Sequence, residues 1–217
     1  MINFQNQLSG GYGGNDLHAS IFLNQFNFRY IPWTSSAIKP SAIRLMVNEI
    51  LLNNRQMGIE FGAGISTLFL AKCFERTGGQ LVTVENDLKW LQVIENELEK
   101  NGIAKSAYKL MHAPLVSSDE FPKGLDWYDA KCFDLNDRKF DFALIDGPID
   151  YESRKMAYPF LKNQLLDSYV LFVDDTDLSV NLNFSKILAK DLSGNWFNYK
   201  TESISAIRSN GFVYNIL

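Results

Sequence analysis

The chain has 217 residues, enough for one α/β domain, and hydrophobic residues at 46% supply a full core. A formal net charge of -4 argues against a broad phosphate-binding surface, and the aromatic content argues against a disordered chain. Two cysteines with no Cys-x-x-Cys pair, and only two histidines, argue against a structural zinc site.

Residues 1–32 read as an N-terminal extension, and residues 33–217 as a single domain. The extension is Gly-rich early (Gly10, Gly11, Gly13, Gly14), then aromatic (Phe22, Phe26, Phe28, Tyr30). Met1-Ile2-Asn3-Phe4-Gln5 lacks a basic segment followed by a long apolar run, so no signal peptide is expected. No stretch approaches the roughly 18 consecutive apolar residues of a transmembrane helix. A cytoplasmic protein with Cys73 and Cys132 reduced is the expectation.

Ile43, Met46, Val47, Ile50 and Leu51 recur at helical spacing after Pro40. Residues 57–60 predict a short strand, and a glycine turn leads into a helix from about Ser66 to Arg76, closed by Gly78-Gly79. Residues 81–84 predict a second strand. Leu88, Leu91, Ile94 and Leu98 mark a helix ended by Asn101-Gly102. Residues 107–111, 142–145 and 169–173 predict three further strands, with a helix carrying Met156, Phe160, Leu161 and Leu165 between the last two. A helix is expected over 177–192. Residues 113–139 read as a loop with one short helix, lying over the carboxyl ends of the strands. Strand and helix alternating at this pitch give an α/β fold with parallel strands and crossover helices. The tail differs: residues 196–200 and 211–216 predict an antiparallel hairpin at the sheet edge.

In an open parallel sheet, ligands bind beyond the carboxyl ends of the strands, where the strand order reverses. The first predicted strand ends in Glu60, followed by Gly62-Ala63-Gly64 and a helix opening at Ser66-Thr67. The glycines allow a tight turn, and the first N–H groups of the helix face the site. A plain strand–turn–helix joint would show the same glycines. Thr67 stands where a dinucleotide binder favours a third glycine, so a nucleoside with a charged amino-acid tail suits the turn better. Glu60 is placed to attract the ammonium of such a tail. The second predicted strand ends in Glu85, about 20 residues beyond Gly64, where a carboxylate can accept from both ribose hydroxyls. A carboxylate at the start of a helix also suits the helix dipole.

The run Ile59-Glu60-Phe61-Gly62-Ala63-Gly64-Ile65-Ser66-Thr67, followed by Val82-Thr83-Val84-Glu85, resembles the first two motifs of class I S-adenosylmethionine-dependent methyltransferases. Phe140 to Pro148 resembles their fourth-strand motif, and Leu171 to Thr176 the fifth-strand end of small-molecule O-methyltransferases. The resemblance implies a Rossmann-like doubly wound sheet of seven strands in the order 3-2-1-4-5-7-6, mostly parallel, with the last strand antiparallel. It implies S-adenosylmethionine as cofactor. Glu60, Gly62, Ala63, Gly64, Ser66 and Thr67 would then surround the methionine part, and Glu85 the ribose. Asn86, Ala113, Pro114 and Leu115 would lie near the adenine, and Asp146 beside the methyl group. Trp33-Thr34-Ser35-Ser36 would close over the methionine end.

Asp146, Asp174 and Asp175 come from the ends of adjacent predicted strands, and their oxygens suit a hard cation such as Mg²⁺. Catechol-type methyltransferases place Asp and Asp-Asn at these ends and a lysine base three residues after the first Asp. Here Asp174-Asp175 and Ile149 stand at those positions, so that mechanism does not carry over whole. The aspartate pair equally suits a helix cap with a solvated neighbour. A hydroxyl acceptor needs a base or a metal, and Asp146, Asp150 and His112 are the candidates. Arg154 could neutralise an anionic substrate group but is expected on a helix surface.

The acceptor implied is a small hydroxylated metabolite or a natural-product sugar, without nucleic acid or membrane. The Asn-Pro-Pro-aromatic motif of amino-directed nucleic-acid methyltransferases is replaced by Asp146-Gly147-Pro148-Ile149. A homodimer is compatible with the aromatic N-terminal segment, which could cap its own site or reach a neighbour's. Two other classes would use the same fold: a dinucleotide-dependent oxidoreductase, disfavoured by Thr67, and a non-catalytic binding protein, disfavoured by the intact cofactor motifs.

Overall fold

A computed structural model describes residues 14–29, 34–117, 122–132, 135 and 138–210. Helix α1 (Gly14–Leu23) precedes α2 (Pro40–Leu52), which opens with extended Lys39 and Pro40 in its first turn, where a missing N–H costs nothing. Then follow β1 (Met57–Phe61), α3 (Ile65–Thr77), β2 (Gln80–Glu85), α4 (Leu88–Lys100) and β3 (Tyr108–His112). A small antiparallel hairpin, β4 (Leu115–Ser117) and β5 (Asp126–Tyr128), comes next. The chain continues through β6 (Phe140–Ile145), α5 (Ala157–Leu161), β7 (Leu165–Val173), α6 (Ser179–Asp191), β8 (Asn195–Tyr199) and β9 (Ile204–Arg208).

Seven strands form one sheet in the order β3-β2-β1-β6-β7-β9-β8. Pairing is parallel from β3 to β7 and antiparallel at β9, which inserts between β7 and β8. This is the order expected from sequence. The tail pairs as the expected hairpin, but its second strand is β9, earlier than expected; the 211–216 segment lies outside the described residues. Residues 113–139 hold the β4–β5 hairpin and, among the described residues, no helix.

Side chains alternate across the sheet into two cores, which is what two faces covered by helices require. Phe142, Leu144, Val170 and Phe172 face α2, α3 and α4, while Ala143, Ile145, Leu171 and Val173 face α5, α6 and the β4–β5 hairpin. Helix α3 is buried on almost every side because α2 covers its outer face. Phe26, just beyond α1, meets Phe69 of α3 edge-on at 5.1 Å, so the N-terminal segment packs on the domain. Away from the carboxyl ends, Glu49 pairs with Arg55 at 2.8 Å and Arg208 at 2.9 Å, tying α2 to β9.

The parallel strands end level. Phe61 pairs with Val84 and Ile145, and Ile145 with Val173. The ladder then runs one amide further, as Gly62, Asp146 and Asp174 donate to the carbonyls of Val84, Phe61 and Ile145. The residues just past the strands are thereby fixed by backbone bonds, at the β1/β6 boundary where the strand order reverses. No helix among the described residues is long and apolar enough to cross a membrane.

Candidate functional site

A cavity of about 520 Å³ opens at this boundary, within the usual range for small-molecule sites. Gly62, Ala63, Gly64, Ser66, Glu85, Asn86, Asp146 and Asp175 line it. Trp90, Tyr128 and Arg154 do too, with Thr34 and Ser36 at one side. Glu60, Thr67, His112, Ala113, Pro114 and Asp174 are not among the lining residues.

Gly62 has φ +92°, and a Cβ there would stand 2.9 Å from the Gly147 nitrogen. The ends of β1 and β6 meet so closely that only glycine fits on both sides, which opens room for a ligand above.

Glu60 lies under the turn, fully buried. Ser66 donates to Oε1 at 2.6 Å, while Thr67 and Thr83 donate to Oε2 at 2.7 and 2.9 Å. Thr67 Oγ1 in turn accepts from the Gly64 amide at 3.0 Å. Glu60 therefore staples the start of α3 to β2, and its three hydroxyl partners account for its bonding without a ligand ammonium. Burial raises its pKa from 4.5 to about 7, against the lowering by those hydroxyls.

Glu85 reaches the cavity wall. Its Oε2 accepts from the Ala63 amide at 2.8 Å and its Oε1 from Asp87 at 2.7 Å. Two backbone donors fix the carboxylate and leave acceptor capacity on each oxygen. Trp90 donates its indole N–H to the Ala63 carbonyl at 2.7 Å, so α4 clasps the glycine turn. Asp87 caps α4 by accepting from Lys89 and Trp90. His112 Nε2 lies 3.0 Å from the Asn86 carbonyl. The contact braces the β2–α4 loop.

Asp146, Asp174 and Asp175 each offer a carboxylate oxygen within 4.8 Å of the others. Burial raises the Asp146 pKa to about 7; Arg154 opposes this, and Asp175 and Glu60 add to it. Burial and the other two aspartates push Asp174 well above the usual carboxylate range. Asp175 adopts φ +54° and is the most exposed of the three. The surface position expected for Arg154 is wrong: the side chain is 4% exposed and lies beside Asp146 and Asp175. Its 3-10 turn, Ser153–Met156, follows the cis Gly147-Pro148 loop and points it inward. Asp150 accepts from the Ser153 hydroxyl and amide and serves that turn.

Sequence reasoning missed Trp90, Tyr128 and the burial of Arg154. The Tyr128 hydroxyl is buried without a hydrogen-bond partner among the described residues, and the ring stacks on Phe61 with centroids 5.8 Å apart. Desolvation, and then Glu85 and Asp146, hold its pKa well above 10. The spacing Tyr-x-x-x-Lys, found in many oxidoreductases, occurs at Tyr151–Lys155 and Tyr158–Lys162. Lys155 pairs with Glu152, Lys162 lies over the Tyr158 ring, and neither lysine lines the cavity.

A methyltransferase-domain family model matches residues 59–176, more than half of the chain. Among solved structures, an SAH-bound methyltransferase from Podospora anserina has a TM-score of 0.63 at 14% identity, covering 95% of this chain and 92% of that one. An O-methyltransferase from Bacillus cereus in complex with SAH has a TM-score of 0.58 at 12% identity, with 95% of each chain covered. A T. thermophilus 16S rRNA methyltransferase in complex with AdoMet and guanosine has a TM-score of 0.53 at 16% identity, covering 82% of this chain and 44% of that one. No curated protein matches the sequence at a significant level. At such identities the likeness establishes the fold, and the family match places the chain within it. The chain belongs to the methyltransferase-domain family and has the fold of the class I S-adenosylmethionine-dependent enzymes.

Proposed function

We propose that this enzyme transfers a methyl group from S-adenosylmethionine to a hydroxyl of a small-molecule acceptor, a metabolite or a natural-product sugar. The observation that carries the reading is Glu85. Its carboxylate is fixed by two backbone amides and faces a cavity floored by a glycine turn, which fits a ribose diol. The remaining surroundings fit a cationic nucleoside. Gly62 and Gly64 leave space, the first amides of α3 suit a carboxylate, and Glu85 and Asp146 make the corner anionic.

S-adenosylmethionine supplies, when bound, an activated methyl on a sulfonium that is already a good leaving group. The protein's share is alignment, exclusion of water and one proton. Asp146 follows the end of β6 and lines the cavity. It would take the proton of the acceptor hydroxyl as that oxygen accepts the methyl group. A base with a pKa near 7 is matched to neutral pH. His112, behind the β2–α4 loop, supports the cofactor wall.

Calorimetric titration with S-adenosylmethionine and S-adenosylhomocysteine, with NADH as control, tests the cofactor. Micromolar binding is expected, weakened by about 100-fold or more in Glu85→Ala, since charge-assisted bonds and two amide partners are lost together. Failure of folded protein to bind either sulfur ligand would refute the reading. Turnover of nucleic acid but of no hydroxylated small molecule would refute the acceptor class.

A further inference from the structure

We infer that Arg154 is the resident cation of the strand-end carboxylates, occupying the place a divalent metal would take, so that Asp146, Asp174 and Asp175 do not form a metal site in this enzyme. The three carboxylates have the spacing a hard cation needs, but the corner is already filled. Arg154 Nη1 lies 3.2 Å from Asp175 Oδ2, and Nη2 lies 3.6 Å from Asp146 Oδ1.

The guanidinium is also anchored independently of the carboxylates. Its Nε donates to the Pro148 carbonyl at 3.0 Å, Nη2 to Asp146 O at 2.7 Å and Nη1 to Asp174 O at 3.5 Å. The Tyr151 ring covers it, 4.8 Å from Cζ to the ring centroid. Main-chain carbonyls hold all three nitrogens in a planar fork, so the cation stays when a carboxylate changes its protonation or its rotamer. Two of those carbonyls belong to Asp146 and Asp174 themselves, so Arg154 also sets where these side chains start. A divalent ion bridging the same oxygens would stand against a fixed positive charge whose side chain is only 4% exposed, so the repulsion is screened less than at the surface. Swinging Arg154 out would leave three carbonyls without donors.

The inference concerns the acceptor corner of the proposed methyltransferase site, but its test does not use turnover. Mn²⁺ binding is followed by the loss of the free-ion paramagnetic resonance signal, with wild type, Arg154→Ala, Arg154→Lys and the double variant Arg154→Ala/Asp175→Ala. Wild type and Arg154→Lys are expected to bind no more Mn²⁺ than the double variant. Arg154→Ala should bind one ion at least about tenfold more tightly, because three free carboxylates then face one another. S-adenosylhomocysteine binding, measured on the same samples, shows separately whether the cofactor site is intact. A wild-type protein that binds one Mn²⁺ in the micromolar range, lost on Asp175→Ala, would overturn the inference even if Arg154→Ala does not fold. So would a folded Arg154→Ala that gains no Mn²⁺ affinity.

Discussion

Glu60→Gln tests the idea that the carboxylate under the glycine turn is a structural staple held at an electrostatic cost. The folded carboxyl has a pKa of about 7 against 4.5 for the free group, and it is fully buried. A raised carboxyl pKa means that the folded state binds the proton more tightly than the unfolded chain. Its contribution to stability is fully present below pH 4.5 and is lost as pH rises through about 7. At roughly 1.4 kcal/mol per pH unit, the loss amounts to about 3 kcal/mol. Glutamine is neutral throughout this range. Its amide oxygen can accept from the same hydroxyls, and its NH₂ can donate to a rotated Thr83 or Thr67 hydroxyl. Urea unfolding of both proteins at half-unit steps from pH 4.5 to 8.5, followed by tryptophan fluorescence, gives the difference in unfolding free energy. That difference should move in favour of Glu60→Gln by about 3 kcal/mol across the range, rising mainly between pH 5 and 7. Asp146 titrates in the same direction, but it is common to both proteins and drops out apart from its coupling to Glu60. A difference independent of pH would refute the burial argument. A variant destabilised at every pH by more than about 2 kcal/mol would show that the three hydroxyls need both carboxylate oxygens.

Two further outcomes separate structural from functional roles. Tyr128→Phe removes a buried hydroxyl without a partner, so the ligand-free protein should gain up to about 1 kcal/mol, seen as a rise of roughly 2–4 °C in Tm; a clear loss would mean that the hydroxyl is engaged. His112→Ala removes the brace on the Asn86 carbonyl, so S-adenosylhomocysteine affinity should fall by about 5–10-fold while kcat stays within about twofold. A large fall in kcat at unchanged affinity would make His112 catalytic instead.

The sheet order and the glycine turn were legible because each rests on a local pattern: apolar runs of strand length, and Gly-x-Gly followed by an acidic residue. The last strand was misplaced because Ile204 to Arg208 does not look like a buried strand. Ser205 and Arg208 interrupt it, yet all five residues are buried, and the Arg208 guanidinium is matched there by Glu49 of α2 at 2.9 Å. The β4–β5 hairpin was missed because three-residue strands are too short to show a period. The hydroxyl partners of Glu60, which are Ser66, Thr67 and Thr83, were not legible because they lie on two elements that only folding brings together. Arg154 was placed on a surface because its stabilising partners are main-chain carbonyls, which leave no mark in a sequence.

The strand ends carry one kind of side chain in different settings, and the settings divide the work. Glu60 is held by hydroxyls away from water and shapes the turn. Glu85 is held by backbone amides and remains open to the cavity, where the proposed reading seats a ribose. Asp146 is open enough to meet an acceptor, yet buried enough to hold a proton near neutral pH. On the proposed reading, Glu85 and Asp146, which line the cavity, lower the cost of bringing a cationic cofactor out of water. The same collection would repel itself before the cofactor arrives. Arg154 offsets this at Asp146 and Asp175, and among the described residues no cation pairs with Glu85. On the proposed reading, one fixed guanidinium leaves the Glu85 side of the cavity receptive to a positive ligand and the Asp146 side ready to take a proton.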